Sequence, residues 1–419
     1  MYIDPKQVIL PKIWKSLPSK SQTMRALLLG AFAQGVSNVK GALLSNDAFA
    51  LIKALEALGA RFRIEKNRVT IFGIDKGQLR APKQSLDLCN SGIALRFLSA
   101  LCATFKVPVT LTGDSSLRQR PMQELTEALN ALGVRVESAK GFAPLTIQGP
   151  AKQGLLRTRI RGEDSQPVSA LLLLGSLLNQ PIEIRVTHPG EKPWVDLTLS
   201  WLDRLGISYE REGYSFYRVR GQGGFQGFDY EVPADLSTLS YPVAAAIVLN
   251  QPITATQVDF SDPQGDKALF DVLADMGAQI KISNSRLQVE RPSFLSGRTI
   301  DINSMIDALP ILATLGCLAR GETHIIGAEI ARTKECDRVH VMAKELKKMG
   351  ADIYEKPGGL LVKQSALCGA KVDSHGDHRI GMSLAIAALF AKGPTELKNP
   401  GCIEKTFPNF FEELYFSFA

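Results

Sequence analysis

A glycine recurs along this chain at nearly even intervals, each time closing a helix-like stretch just ahead of an alternating, strand-like one. The segments are ALEALGARFRI, ALNALGVRVES, WLDRLGISYER, VLADMGAQIKI and ELKKMGADIYE. Their glycines, Gly59, Gly133, Gly206, Gly277 and Gly350, stand 74, 73, 71 and 73 residues apart. A glycine just past a helix adopts the left-handed cap without a Cβ clash. Five such marks at so even a spacing signal a repeated supersecondary unit.

Each interval also holds a second helix, apolar nearly all round and therefore expected to be buried. These helices should begin near Ser21, Asn90, Ser165, Asp235, Ser304 and Ser374. Six buried helices against five capped ones imply a sixth unit divided between the chain ends. The helical stretch 407–416 would be completed by a strand over Gln7–Leu10. Three units per lobe place one lobe at residues 18–231 and the other at 1–17 plus 232–419, with two chain crossings between them. Each unit reads as βαβαββ, so the expected fold is α/β: a two-lobed, inside-out barrel of six repeats, helices inside and sheets outside.

Composition narrows the function. The 419 residues suffice for about two domains with large cores. The chain is 45% hydrophobic and 22% charged, and 49 basic against 42 acidic residues give a net charge of +7, which suits anionic ligands. The basic residues are scattered in short runs, which argues against a nucleic-acid face. Cys89, Cys102, Cys317, Cys336, Cys368 and Cys402 form no C-x-x-C pair and read as reduced thiols of a cytoplasmic protein. The N-terminal MYIDPKQVILP has no basic region followed by an apolar core, so no secretory signal is expected. Apolar segments such as Val168–Leu178 are too short to span a bilayer.

The polar residues that interrupt the apolar pattern gather where the buried helices begin: Pro18-Ser-Lys-Ser-Gln-Thr-Met-Arg25, Asn90-Ser-Gly-Ile-Ala-Leu-Arg96, Asp164-Ser-Gln-Pro167, Ala234-Asp-Leu-Ser237, Met305-Ile-Asp307 and Gly376-Asp-His-Arg379. Asn90, Ser165 and Ser237 are expected to cap their helices. Capping does not account for Lys20, Arg25, Arg96 and Arg379, since cations near a helix N-terminus are unfavourable by roughly 0.3–1 kcal/mol each. Bound anions would neutralise them, which makes these helix starts a multi-anion site. A seventh charged stretch, Arg332-Thr-Lys-Glu-Cys-Asp-Arg338, sets three cations around two carboxylates ahead of a helical series at Val339, Met342, Ala343, Leu346 and Met349. His375, His378 and Asp377 lack further ligands nearby, so no metal is expected. No nucleophile elbow, Walker loop or dinucleotide fingerprint occurs, and Gly221-Gln-Gly-Gly224 has no following helix. Carboxylates among cations remain, the equipment for proton transfer on a substrate with several negative charges.

The motifs PSKSQTMR, NSGIALR, LRQRP, the DSQ start, the aspartate at 307, RTKECDR, DHRIGM and EKTFP together resemble the 5-enolpyruvylshikimate-3-phosphate (EPSP) synthase family over essentially the whole chain. The resemblance implies substrates bound in a cleft between the lobes. It also implies cofactor-free transfer of the enolpyruvyl group of phosphoenolpyruvate to shikimate 3-phosphate, releasing phosphate, in chorismate and aromatic amino-acid biosynthesis. By position, Lys20, Ser21, Arg25, Ser165, Gln166, Asp307 and Lys334 resemble the shikimate 3-phosphate contacts. Lys20, Gly92, Arg120, Gln166, Arg338, Arg379 and Lys405 resemble the phosphoenolpyruvate contacts. Asp307 matches the base acting on the attacking hydroxyl and Glu335 the proton donor to the methylene carbon.

The chain departs from the family pattern at Asp164, Glu191 and Trp194, where serine, serine and tyrosine are usual, and at Ile330. It also has Ile93 and Phe97 in place of threonine and proline, and the resemblance then implies weak inhibition by glyphosate, an occupant of the phosphoenolpyruvate site. Two alternatives stand beside this reading. One is the sister transferase acting on UDP-N-acetylglucosamine, whose usual cysteine is missing from Gly113-Asp-Ser-Ser-Leu-Arg-Gln-Arg-Pro121. The other is a nucleic-acid-binding protein on the same repeat. A monomer with small-molecule substrates, and neither nucleic-acid nor membrane partners, is the expectation.

Overall fold

A computed structural model describes residues 1–5, 8–74, 81–283, 285–290 and 294–414. The chain divides into two compact units, Pro18–Val232 and Met1–Leu17 with Pro233–Ala419. Both are mixed α/β.

The Pro18–Val232 unit contains three four-stranded sheets. In the first, Asp229–Glu231 runs parallel to Val36–Lys40, which pairs antiparallel with Arg68–Phe72, and Arg61–Glu65 closes the sheet antiparallel. The same order of one parallel and two antiparallel pairings recurs from Leu86–Asp87 to Arg135–Ala139, and again from Leu156–Arg161 to Tyr209–Glu212. Three buried helices, Lys20–Phe32, Gly92–Cys102 and Ser165–Leu177, supply the middle of the core. Leu171 to Leu174 are all fully enclosed, an arrangement only an all-apolar helix can satisfy. Each such leucine contributes roughly 1.5–3 kcal/mol relative to exposure. Gly175 lets the third helix approach its sheet: a Cβ there would meet Val219 Cβ at 2.8 Å and Ile182 Cγ2 at 2.9 Å.

The other unit repeats this pairing order in two four-stranded sheets, running from Ile13–Lys15 to Ile280–Ser283 and from Thr299–Asp301 to Ile353–Lys356. A third sheet has three strands, in which Lys371–Asp373 runs parallel to Thr395–Lys398 and Tyr2–Ile3 pairs with its other edge. The buried helices are Leu236–Leu249, Leu309–Leu318 and His378–Ala388.

The capped helices fall where the glycines mark them: Asn46–Leu58, Gln123–Ala131, Lys192–Arg204, Ala268–Asp275 and Arg338–Lys348. Gly59, Gly133, Gly206, Gly277 and Gly350 all have positive φ, from 67° to 114°. Two local expectations need correction. Val8–Leu10 is not a strand; Tyr2–Ile3 takes the edge of the terminal sheet instead, and Gln7 lies outside the described residues. The stretch 407–416 is helical only at Phe410–Leu414, with its last two positions outside the described residues. The caps of three buried helices also sit one or two positions away from those expected. Ser91 accepts from Ala94 N, Asp164 from Gln166 N and Asp235 from Thr238 N, in place of Asn90, Ser165 and Ser237. A cap must stand just outside the first helical residue, and each of these does.

Candidate active site

Within the Pro18–Val232 unit the starts of the first two buried helices carry cations. Lys20 and Ser21 open the first helix behind the Ser19 cap. Arg25, one turn further on, is buried. Its Nε and Nη2 donate to Thr198 Oγ1 at 3.2 and 3.0 Å, its Nη1 donates to Ser21 O, and its guanidinium lies 5.0 Å from the Phe97 ring centroid. Phe97 belongs to the second helix, which begins at Gly92. A Cβ on Gly92 would stand 2.9 Å from both Arg120 Nη1 and Arg96 Nη1 and 3.5 Å from Gln166 Oε1. Two arginines and a glutamine therefore converge on one bare backbone position. Asn90 orients Arg120, accepting from its Nη2 at 2.6 Å, and itself donates to Asp114 at 2.8 Å. Arg96 Nη1 donates to Gln166 Oε1 at 3.1 Å, and its Nη2 lies 3.3 Å from Asp164 Oδ2. At the third helix Glu191 Oε2 accepts from Ser165 N at 2.8 Å and Ser165 Oγ at 2.9 Å. The structure thus brings together Gly92, Arg120 and Gln166, and seats Ser165 on a buried carboxylate. Arg96 and Asn90 complete the cluster.

The other unit carries the carboxylates. Arg338, the first residue of its helix and 1% exposed, is surrounded by three of them. Its Nη1 donates to Asp307 Oδ1 at 2.5 Å, its Nη2 to Glu335 Oε2 at 3.0 Å and its Nε to Asp377 Oδ2 at 2.7 Å. Arg379 Nη2 lies 3.0 Å from Asp307 Oδ2, and Lys405 Nζ donates to Glu335 Oε1 at 3.0 Å. Asp307 stands on a short turn, Ile306–Ala308, just ahead of a buried helix. Burial pushes its carboxyl upward, but the charges of Arg379, Arg338 and Lys334 and the Arg338 hydrogen bond outweigh this and hold it well below the usual carboxylate range. Burial opposes the charge of Arg338, yet Asp377, Asp307 and Glu335 hold its proton more firmly than usual. Five of the expected residues, Asp307, Glu335, Arg338, Arg379 and Lys405, form one network, and Lys334 acts on Asp307 through its charge. Asp377 is a member that the sequence reading passed over. The signal was present, since a cation buried at a helix start needs a buried anion, and the aspartate beside Arg379 was available. Arg332 belongs elsewhere: it binds Asp337, Glu355 and the carbonyls of Lys356 and Pro357.

Helix starts carrying arginines and lysines in one unit, and paired carboxylates among cations in the other, define an anion-handling acid–base protein. Comparison with known proteins is more specific. The family model for EPSP synthase (3-phosphoshikimate 1-carboxyvinyltransferase) matches residues 10–414. A 3-phosphoshikimate 1-carboxyvinyltransferase of Acetivibrio thermocellus is 39% identical over 94% of this chain and 92% of its own. One from Chlamydia felis is 40% identical over 95% and 89%, respectively. A solved EPSP synthase from Acinetobacter baumannii superposes with a TM-score of 0.83 at 26% identity, covering 99% of this chain and 97% of that one. The enolpyruvyl transferase NikO from Streptomyces tendae shares the fold, with a TM-score of 0.81 at 20% identity, covering 99% and 96%. The chain belongs to the EPSP synthase family. Among the described residues no helix is long and apolar enough to cross a membrane.

Proposed function

We propose that this protein transfers the enolpyruvyl group of phosphoenolpyruvate to the 5-hydroxyl of shikimate 3-phosphate and releases phosphate. One observation carries the reading: Arg338 gathers Asp307 and Glu335, and each carboxylate has a second cation, Arg379 and Lys405. An enol ether forms when a hydroxyl adds to a protonated double bond and the resulting methyl group then gives up a proton as phosphate leaves. The chemistry needs one carboxyl group to take a proton, one to give it, and cations to hold the leaving charge. Asp307 serves as the base and Glu335 as the acid. Phosphoenolpyruvate brings its own carboxylate and phosphate to Arg338, Arg379 and Lys405, so it competes with Asp307 and Glu335 for them. In this reading Gly92, Arg120, Gln166 and Lys20 hold the same substrate. Lys20, Ser21, Arg25, Ser165, Gln166, Asp307 and Lys334 hold shikimate 3-phosphate.

The recurring pairing order of the sheets supports a βαβαββ repeat closed into an inside-out barrel in each lobe. The protein acts as a cytoplasmic monomer in aromatic amino-acid biosynthesis. The test is phosphate release from phosphoenolpyruvate with shikimate 3-phosphate as acceptor, run beside UDP-N-acetylglucosamine and a DNA-binding titration. Release with the first acceptor alone is expected. Release only with the sugar nucleotide, or salt-sensitive DNA binding without turnover, overturns the reading.

A further inference from the structure

The carboxylate network has a neighbour to which the reaction above gives no role. Asp266 lies on the turn Gly265–Lys267 and is 1% exposed. Its Oδ2 accepts the hydroxyl of Ser237, at the start of the Leu236–Leu249 helix. Its Oδ1 has no hydrogen-bond partner among the described residues. The turn itself supplies no counter-charge, because Lys267 donates its ammonium to the carbonyls of Phe260 and Asp262. The charged groups that act on Asp266 are Asp307 from the turn Ile306–Ala308, Arg379 from the His378–Ala388 helix and Asp235 from the cap of the Leu236–Leu249 helix. Two of these are carboxylates. Arg379 lies 3.0 Å from Asp307 through its Nη2, and its buried Nε, like Asp266 Oδ1, has no hydrogen-bond partner among the described residues.

A buried carboxylate with one unpartnered oxygen and two acidic neighbours is costly as an anion and inexpensive as an acid. We propose that Asp266 is a positioning residue whose charge state decides whether Arg379 serves Asp307 and the incoming phosphoenolpyruvate or is drawn back toward Asp266. Burial first, then Asp307, push the Asp266 carboxyl up to about 7, against the opposing pull of Arg379 and the Ser237 hydroxyl. In the protonated state Asp266 leaves Arg379 free to bridge Asp307 and a substrate carboxylate. Once ionised it competes for the same guanidinium, so phosphoenolpyruvate binds more weakly. The effect falls on KM for that substrate, because Asp266 acts through Arg379 and touches no reacting atom.

The inference rests on the transferase reading for its kinetic consequence and not for its titration, so two measurements separate the two. The first needs no substrate: difference infrared spectra of the native protein should show a protonated-carboxyl band that disappears between about pH 6 and about pH 8, and that is missing from Asp266→Asn. The second is KM for phosphoenolpyruvate over the same range, expected to rise about three- to tenfold in the native protein and less than about twofold in Asp266→Asn, with kcat near native. A variant that only loses stability would melt earlier and keep the native pH profile. No titrating band in the native protein, or the native KM profile in Asp266→Asn, overturns the proposal. A titrating band in a protein without turnover overturns the transferase reading and leaves the assignment of the proton standing.

Discussion

Arg338 holds three carboxylates on one guanidinium, and that geometry decides what single substitutions do. Asp307→Asn and Glu335→Gln should each lower kcat by about 10²–10⁴-fold, far more than they raise either KM, as steady-state kinetics with both substrates will show. Near-native turnover of Glu335→Gln would remove it as the acid. A second residue-scale prediction concerns the Gly92 helix. Phe97 is buried against Arg25, and Ile93, the residue after Gly92, is partly buried against the core. An inhibitor longer than phosphoenolpyruvate should meet that side chain first. Restoring Ile93→Thr with Phe97→Pro should tighten glyphosate inhibition by about 10–200-fold relative to KM for phosphoenolpyruvate. An unchanged ratio of Ki to KM would show that Ile93 only packs. At this scale the sequence was legible wherever a cation stood at a helix start without a local reason. It gave no partner for Asp266 or Glu191, acidic residues whose importance lies in Ser237 and Ser165, 29 and 26 positions away.

At the scale of elements, one buried side chain ties the Arg338–Lys348 helix to its neighbours. Glu345 is fully buried on it and accepts from Lys348 Nζ at 2.6 Å, His375 Nε2 at 2.9 Å and Asp373 N at 3.0 Å. It therefore ties this helix to the turn that feeds His378–Ala388, the helix bearing Arg379. Burial raises its carboxyl, but the hydrogen bonds from Lys348, His375 and the Asp373 backbone lower it below the ordinary glutamate value. A depressed carboxylate contributes stability that is present above its unfolded pKa and lost as pH falls through the folded one. Glu345→Gln should thus lower Tm at neutral pH, by the equivalent of roughly 1.5–3 kcal/mol for a charged hydrogen bond, and the gap should close in acid. Thermal melts of both proteins against pH will show whether it does. The elements themselves were the most legible part of the chain, because a glycine after a helix and an all-apolar helix each admit one placement. Their edges were less so. Around each cap more than one small polar residue competes for the role, as in Asn90-Ser91, Asp164-Ser165 and Asp235-Leu-Ser237, and the two-residue strand Tyr2–Ile3 owes its existence to pairing with Thr395–Glu396, a contact no local pattern announces.

Across the whole molecule the excess of basic residues, +7 in all, should draw anionic substrates. KM for phosphoenolpyruvate should therefore rise as salt shortens the screening length from about 10 Å at about 0.1 M to about 3 Å at about 1 M. A KM independent of salt would place all the attraction in short, buried contacts. The cysteines differ just as sharply in their surroundings. Burial pushes the thiols of Cys102, Cys317, Cys336 and Cys402 up, while Cys89 and Cys368 are exposed. A thiol reagent should consequently label only those two, Cys89 the more slowly because burial and Asp87 raise its pKa. Cys89 sits one residue before Asn90, whose Oδ1 receives Arg120 at 2.6 Å. With Cys368 changed to serine, a fluorophore on Cys89 should brighten or dim as phosphoenolpyruvate saturates the protein. The turn that orients Arg120 thus also offers an optical readout of occupancy, with no cysteine added to the chain.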